Sequence, residues 1–186
     1  MGGTFIFNYY HFLVEIVSKV SIVKELYFNN QNYPILIDKS VNYVPVFREI
    51  SNLFLKDFNV IFLDSNKSYK VKDLWYITNP NTSPFDLKKN FKIKAEYTKT
   101  RPNTIKYIRE KAIENIPLNI KINKYDKIFL SRKTKNRRYN QDEVFEHIKK
   151  LGFIEIYFED YSFFEQVFIM QNANFIAGGT GAAWTN

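Results

Sequence analysis

The sequence has 186 residues, of which 45% are apolar and 25% are charged, and its formal net charge is +8. This composition is typical of a folded globular chain rather than a disordered one, and the length suffices for one domain or for parts of two. The sequence contains no cysteine, which excludes a disulfide framework, a thiol nucleophile and a thiolate metal site.

The sequence shows no signal for membrane insertion or export. No apolar run reaches the ~18–20 residues that a membrane-spanning helix needs. The N-terminal stretch is apolar, but it lacks a cationic start and a small-residue cleavage site, and Glu15 interrupts it. We therefore expect a soluble, cytoplasmic protein. Its positive charge favours an anionic partner, which leaves nucleic acid, an anionic membrane surface and a phosphorylated small molecule as alternatives.

In the first part of the chain, helical spacing of apolar residues alternates with short apolar runs. The predicted helices span 10–28, 42–58 and 101–116, the last two entered near Pro45 and Pro102. The predicted strands span 33–38, 59–64 and 69–78, the last from a weak alternation of polar and apolar residues. Residues 79–86 are rich in turn formers and are predicted to be a loop, and 117–126 reads as a linker.

The last part of the chain has a regular strand–helix rhythm, which predicts a parallel sheet with right-handed crossovers. The predicted strands span 127–132, 154–158 and 174–179, and the predicted helices span 140–153 and 162–173. Gly152 marks the end of the first helix, and Ser162 with Glu165 has the spacing of a capping box at the start of the second. Another helix is expected to begin near Ala182.

Two loops of this predicted sheet carry features of an anion site. "SRKTKNRR" (131–138) follows the first strand with five cations and no acid, and "GGTGAAWTN" (178–186) follows the third. The carboxyl ends of parallel strands share one edge, where ligands bind. Glycine lets the main chain approach a ligand, and a helix start directs N–H groups at an anion. A solvated charged loop and a tight turn without ligand are the alternatives.

Other chemical motifs are weak or absent. The sequence has no dinucleotide fingerprint, no Gly-Lys-Ser/Thr phosphate loop and no Asp-x-Asp metal clamp, which disfavours metal use. His11 and Glu15 are four residues apart on one helix face, a spacing that suits a metal pair, a general base oriented by a carboxylate, or a histidine that bonds locally. His147 is predicted to be a surface residue near the end of its helix.

An ordered series of short motifs resembles glycosyltransferase family 61. The matching segments are "NYYHFLVEIVSKV" (8–20), "LSR" (130–132), "RRYNQDE" (137–143), "LGF" (151–153), "FEDYSFFEQ" (158–166), "NANFIAGG" (172–179) and "TGAAWTN" (180–186). The last six run in order over the final third of the chain. Residues 30–120 match the family only in their α/β rhythm.

The resemblance implies an α/β fold of the GT-B-like kind, with parts of two Rossmann-like domains that contain parallel sheets. Residues 1–116 would form the N-terminal portion and 117–186 an incomplete donor-binding portion. It also implies bacterial capsule or surface-polysaccharide synthesis, in which a sugar passes from a nucleotide sugar, with UDP-sugars expected first, to a glycan or lipid-linked glycan. No cofactor or metal is implied. The chain could then work at the inner face of the membrane, in peripheral contact with it.

The resemblance assigns roles to individual residues. The implied donor-binding residues are Arg132, Arg138, Gly179, Thr180, Gly181, Ala182 and Asn186. His11 with Glu15 is the candidate for the base that deprotonates the acceptor, because the family's first motif faces the cleft. Thr180 stands where the family has histidine, and it can neither carry charge nor shuttle a proton near neutral pH.

The chain is expected to be truncated at both ends relative to the family, so its turnover stays open. A non-catalytic binding module or partner subunit derived from the same fold is the alternative function, and a homo-oligomer is compatible with either. Nucleic-acid binding would rest on the net charge alone, since no nucleic-acid motif is present; we expect no nucleic-acid partner.

Overall fold

The computed structural model describes residues 1, 6–27, 33–82, 92, 94–133 and 139–185. The chain divides into two compact units, Met1–Lys111 and Ala112–Asn186. The boundary between them lies within the third α-helix, whereas the sequence placed it after residue 116. Each unit contains a parallel sheet, and both are α/β in composition.

In the first unit, the predicted helices and two of the predicted strands are present. A π-helix, His11–Val17, is followed by the elements α1 (Lys19–Tyr27), β1 (Ile35–Asp38), α2 (Pro45–Leu55), β2 (Val60–Leu63) and α3 (Pro102–Glu114). Strands β1 and β2 pair in parallel, with Ile35 opposite Val60. The core is apolar, and the rings of Phe12 and Phe47 stack at 4.5 Å between the π-helix and α2.

The predicted strand at 69–78 is wrong, because this segment has no regular secondary structure. No described strand pairs with it, and a strand without a partner leaves its main-chain groups unsatisfied. Residues 70–77 instead line one side of a cavity. The alternation of side chains was real, but it did not correspond to the two faces of a sheet.

In the second unit, the predicted order of strands and helices is confirmed. Its elements are β3 (Lys127–Ser131), α4 (Gln141–Lys149), β4 (Ile154–Tyr157), α5 (Phe163–Asn172) and β5 (Phe175–Gly178). The strand order is β4–β3–β5, and both pairings are parallel. A buried cluster of Ile128, Leu130, Ile156, Phe158 and Ile169 joins the sheet to α5. Residues 117–126 form no helix or strand, as predicted.

The helix boundaries of the second unit follow the predicted signals. Gly152 has φ +86°, the left-handed conformation that ends a helix and that glycine adopts without strain. At the start of α5, Ser162 Oγ accepts from Glu165 N, and Glu165 Oε2 accepts from Ser162 N at 2.7 Å, which completes the capping box. The helix expected near Ala182 is wrong in type, since Ala182–Thr185 is only a four-residue 3₁₀ turn.

Candidate functional site

The two loops that the sequence singled out follow neighbouring strands. Strand β3 is central, and β5 pairs with it so that Leu130 lies opposite Gly178. Arg132 begins the connection after β3, and Gly179 begins the turn after β5. Because the strands are parallel, both connections leave the same edge of the sheet, as the sequence predicted for a ligand site.

The Arg132 side chain lies directly against the glycine turn. A methyl group added at Gly181 would lie 1.9 Å from Arg132 Nη2 and 2.9 Å from its Cζ. A methyl group at Gly179 would lie 2.9 Å from the Tyr139 ring. The glycines of this turn therefore make room for two side chains of the β3–α4 connection. Both glycines remain partly exposed.

Gly178 has a different role from the two glycines that follow it. Its φ is +156°, and a methyl group there would lie 2.7 Å from the Leu130 carbonyl oxygen. That oxygen belongs to the main chain of the central strand, so it cannot move aside without disturbing the sheet. Gly178 is thus required by strand packing rather than by a ligand.

The main chain at Arg132 is held by the first residue of α4. Gln141 Oε1 accepts a hydrogen bond from Arg132 N at 2.8 Å, and Gln141 Nε2 donates to Arg132 O at 3.4 Å. The next residue is held by the segment after β4: Lys133 N donates to Glu159 Oε1 at 3.1 Å, and its ammonium pairs with Asp160. The start of the cationic loop is therefore fixed from two sides.

The acidic turn after β4 is itself held by a buried glutamine. Gln166 Nε2 donates to the carbonyl oxygens of Phe158 and Tyr161, at 3.0 and 2.9 Å. The side-chain amide has two N–H groups, so it can donate to both oxygens at once. The roles of Gln141 and Gln166 were not assigned from the sequence, although both lie within the matching motifs.

Further polar contacts surround the end of the sheet. Ser131 Oγ donates to Glu155 Oε1 at 2.6 Å across the β3–β4 pair. Burial, followed by a hydrogen bond with Glu155, raises the pKa of Tyr157, so that side chain remains protonated at neutral pH. Trp184 Nε1 donates to the Gly179 carbonyl at 3.0 Å, which ties the 3₁₀ turn back to the glycine turn.

In the first unit, the π-helix brings His11 and Glu15 together. His11 Nδ1 lies 2.9 Å from Glu15 Oε1, and the Glu15 side chain is only 3% exposed. Its other oxygen, Oε2, accepts from Asn79 Nδ2 at 3.3 Å. Ser18 N donates to Leu13 O at 3.2 Å and closes a wider i→i+5 turn. π-Helical turns of this kind often occur at functional sites.

A second asparagine holds this part of the π-helix in place. Asn81 is 2% exposed, and its Nδ2 donates to Val14 O at 2.9 Å and to Thr104 Oγ1 at 3.0 Å. Its Oδ1 accepts from Arg101 N at 2.8 Å. The segment that contains Asn79 and Asn81 was predicted only as a loop. Its asparagines link the π-helix to the start of α3.

Two other polar side chains, Lys19 and Tyr10, interact electrostatically with Glu15 of the His11–Glu15 pair. Lys19 lies two helical turns beyond His11 and is 2% exposed, and its pKa is lowered by burial, an effect that Glu15 opposes. The pKa of Tyr10 is raised, first by burial and then by the charge of Glu15. Among the described residues, no group of three His, Cys, Asp or Glu side chains could hold a metal. No described helix has the length and apolarity to cross a membrane.

The predicted site residues thus form two groups. Arg132 and the turn from Gly179 to Ala182 lie together in the second unit, with Thr180 exposed. His11 and Glu15 are paired in the first unit. Arg138 and Asn186 lie outside the described residues, so their assignment stays a prediction. His147 is exposed, as predicted, and its Nδ1 is 2.8 Å from Glu143 O on the same helix.

The fold and the two groups define an α/β protein with a cationic, glycine-lined edge on one parallel sheet and a histidine–carboxylate pair. The family model described as Glycosyltransferase 61 matches residues 9–186. The chain therefore belongs to glycosyltransferase family 61, a family of sugar-transferring enzymes. No curated protein and no solved structure matched the chain.

Proposed function

We propose that this chain transfers a sugar from a nucleotide-sugar donor, such as a UDP-sugar, to a glycan acceptor. One observation supports it above the others: the Arg132 guanidinium lies at the glycine turn, where two parallel strands end. A permanent cation beside a close main-chain turn is suited to a diphosphate, which presents several acceptor oxygens.

The main electrostatic requirement of this reaction is to stabilise the leaving diphosphate, since negative charge accumulates there as the glycosidic bond breaks. Arg132 would carry out that stabilisation, with Arg138 as its proposed partner. A charge-assisted hydrogen bond contributes about 1.5–3 kcal/mol, compared with about 0.3–1 kcal/mol from a helix dipole. The guanidinium therefore contributes more than the dipole, especially because Ala182–Thr185 is a short 3₁₀ turn. Main-chain amides from Gly179 to Ala182 would bind the remaining oxygens.

Transfer to a hydroxyl group also requires a base, and we assign that role to His11. Glu15 Oε1 lies 2.9 Å from His11 Nδ1. We propose that Nδ1 carries the hydrogen, since a carboxylate can only accept, and that Nε2 holds the lone pair that accepts a proton. Glu15 would orient the imidazole, as carboxylates do beside catalytic histidines.

The broader setting follows from these assignments. We propose a GT-B-like arrangement in which residues 117–186 contribute the donor-binding portion. We also propose a role in capsule or other surface-polysaccharide synthesis at the cytoplasmic face of the membrane. These assignments rest on family membership and on the motifs.

Thermal denaturation with UDP tests the donor site. UDP at ten times its Kd should stabilise the folded chain by about 1.4 kcal/mol, which raises Tm by about 3–6 °C in a protein of this size. Arg132→Ala should abolish most of that shift. Arg109→Ala, which removes an exposed arginine on α3, is the matched control and should keep it. If UDP and other nucleoside diphosphates give no shift at millimolar concentration, or if the two variants behave alike, the donor assignment is wrong.

A further inference from the structure

The first unit contains a cavity of about 450 Å³ that none of the assigned roles uses. Its volume lies within the roughly 300–1,000 Å³ typical of ligand pockets. It is bounded by Val23 and Leu26 of α1, by the start of β1, by Ile61 of β2 and by the irregular segment 70–77. This last wall is the segment that the sequence predicted to be a strand.

Most of the cavity lining is aliphatic or aromatic. Tyr33 and Trp75 face each other with their ring centroids 5.8 Å apart. Trp75 and Tyr76 line the cavity, and their side chains are nevertheless 58% and 72% exposed. Large apolar side chains gathered around one opening are typical of a binding site rather than of scattered surface residues. The lining therefore fits a ligand with an apolar body.

The charged groups in the lining are mostly positive. Lys19, Lys70 and Lys72 line the cavity, and Asp73 is the one acid beside them among the lining residues. The Lys19 ammonium lies 5.4 Å from the centre of the Tyr76 ring, so it is positioned at the aromatic wall. Burial lowers the pKa of Lys19, and a nearby anion would favour its charged form.

The geometry points to a binding site for an amphipathic anion, with an apolar chain against the Val23, Leu26 and Ile61 wall and a phosphate among the lysines. A neutral sugar would not use the lysines, and a free phosphate would not use the apolar wall. The identification of this anion as a lipid-linked acceptor rests on the proposed function. The binding of an amphipathic anion in the cavity does not depend on that function.

The two tryptophans of the chain allow the cavity and the donor turn to be read separately. Trp75 lies in the cavity wall, and Trp184 is bonded to the glycine turn. Trp184→Phe leaves Trp75 as the only tryptophan, and Trp75→Phe leaves Trp184. We expect geranyl phosphate, below its micellar concentration, to shift the Trp75 emission to shorter wavelength in a saturable way. Geraniol should bind at least about threefold more weakly, and inorganic phosphate should cause no shift.

Substitutions of the lining give a second measurement. Lys70→Gln with Lys72→Gln should weaken the binding of geranyl phosphate by about two- to thirtyfold, which corresponds to about 0.2–1 kcal/mol for each exposed charge, and should leave the binding of geraniol nearly unchanged. The matched control is Lys121→Gln with Lys124→Gln, which removes the same charge from exposed positions outside the lining. Val23→Glu should weaken both ligands.

Several outcomes would overturn the inference. The first is a Trp75 emission that does not respond to geranyl phosphate at all. The others are equal affinities for geraniol and geranyl phosphate, and an equal weakening of geranyl phosphate binding by the two double-lysine variants. A response to phosphatidylglycerol vesicles without one to monomeric geranyl phosphate would indicate a bilayer surface, and a Trp75 response to UDP alone would indicate a nucleotide site. Failure of UDP to change Trp184 emission would count against the donor site and leave the cavity result standing.

Discussion

The glycine turn allows a sharp separation of ligand binding from folding. Gly181→Ala places a methyl group 1.9 Å from Arg132 Nη2, which is the end of a long side chain. The guanidinium can swing away at little cost to the fold. If Arg132 binds the donor diphosphate, its displacement removes a charge-assisted hydrogen bond of about 1.5–3 kcal/mol, which corresponds to about a 10- to 150-fold loss of UDP affinity.

The neighbouring Gly178→Ala substitution is the matched control, and it should have the opposite effect. Here the methyl group would lie 2.7 Å from the Leu130 carbonyl oxygen, and φ is +156°. Main-chain strain of this kind costs about 1–3 kcal/mol. Because 1 kcal/mol corresponds to about 2–4 °C in a chain of this size, Tm should fall by about 2–12 °C.

Isothermal titration with UDP and thermal denaturation measure the two effects on the same samples. We expect Gly181→Ala to lose UDP affinity with Tm changed by less than about 2 °C, which is under 1 kcal/mol. Gly178→Ala should lose Tm and, while folded, keep most of its affinity. If Gly181→Ala binds UDP as tightly as the parent chain, Arg132 at this turn does not bind the donor.

Three further predictions concern other groups. Gln166→Ala removes the amide that donates to the Phe158 and Tyr161 carbonyl oxygens, of which only the Phe158 oxygen keeps a hydrogen bond among the described residues, from Tyr161 N, so the free energy of unfolding should fall by about 1–3 kcal/mol in urea denaturation. Hydrogen bonds, first from the Ser40 hydroxyl and also from its amide and from Ser65, hold the pKa of Asp38 below its usual value. The stabilisation by Asp38 is therefore fully present above the unfolded pKa of about 3.9 and is lost as pH falls through the lower folded pKa, so Asp38→Asn should destabilise the chain more at pH 7 than at pH 3. Thr180→His should bind UDP more tightly at pH 6 than at pH 8, relative to the parent chain, because the imidazole is charged only at the lower pH.

Each of these predictions has a control of the same residue type. Gln171→Ala, at an exposed position of α5, should change stability little. Asp73→Asn, at an exposed site, is the control for Asp38→Asn. Thr100→His, in the other unit, should leave the pH dependence of UDP binding unchanged. An Asp38→Asn effect that is as large at pH 3 as at pH 7, or a Thr180→His variant identical to its control, would contradict the corresponding reasoning.

The second unit was predicted more completely than the first because its signals are local. A capping box at Ser162 and a left-handed stop at Gly152 depend on residues within one helical turn, and both are confirmed. The segment 69–78 depends instead on whether a neighbouring strand is available. Alternation alone cannot supply that information, so the predicted strand is wrong.

The candidate site was predictable in its residue types but not in its contacts. The spacing of His11 and Glu15 indicated a shared helix face, and their atoms approach to 2.9 Å. The convergence of Arg132 with Gly181 required a strand order that the sequence only suggested. The anchoring roles of Gln141 and Gln166 involve partners in other elements, and no periodicity reports such contacts.

The contacts of Glu15 bear on the uses that its spacing with His11 left open. Both carboxylate oxygens already have partners, since Oε1 faces His11 and Oε2 accepts from Asn79. A metal ion would have to displace one of them from a side chain that is 3% exposed, and the cost of leaving a buried polar group unpaired opposes that exchange. The same contacts suit a carboxylate that orients an imidazole, because orientation requires a carboxylate held in one position and needs no oxygen available for a metal ion. On these contacts we propose His11 as the group that exchanges a proton and Glu15 as the group that holds the imidazole in place.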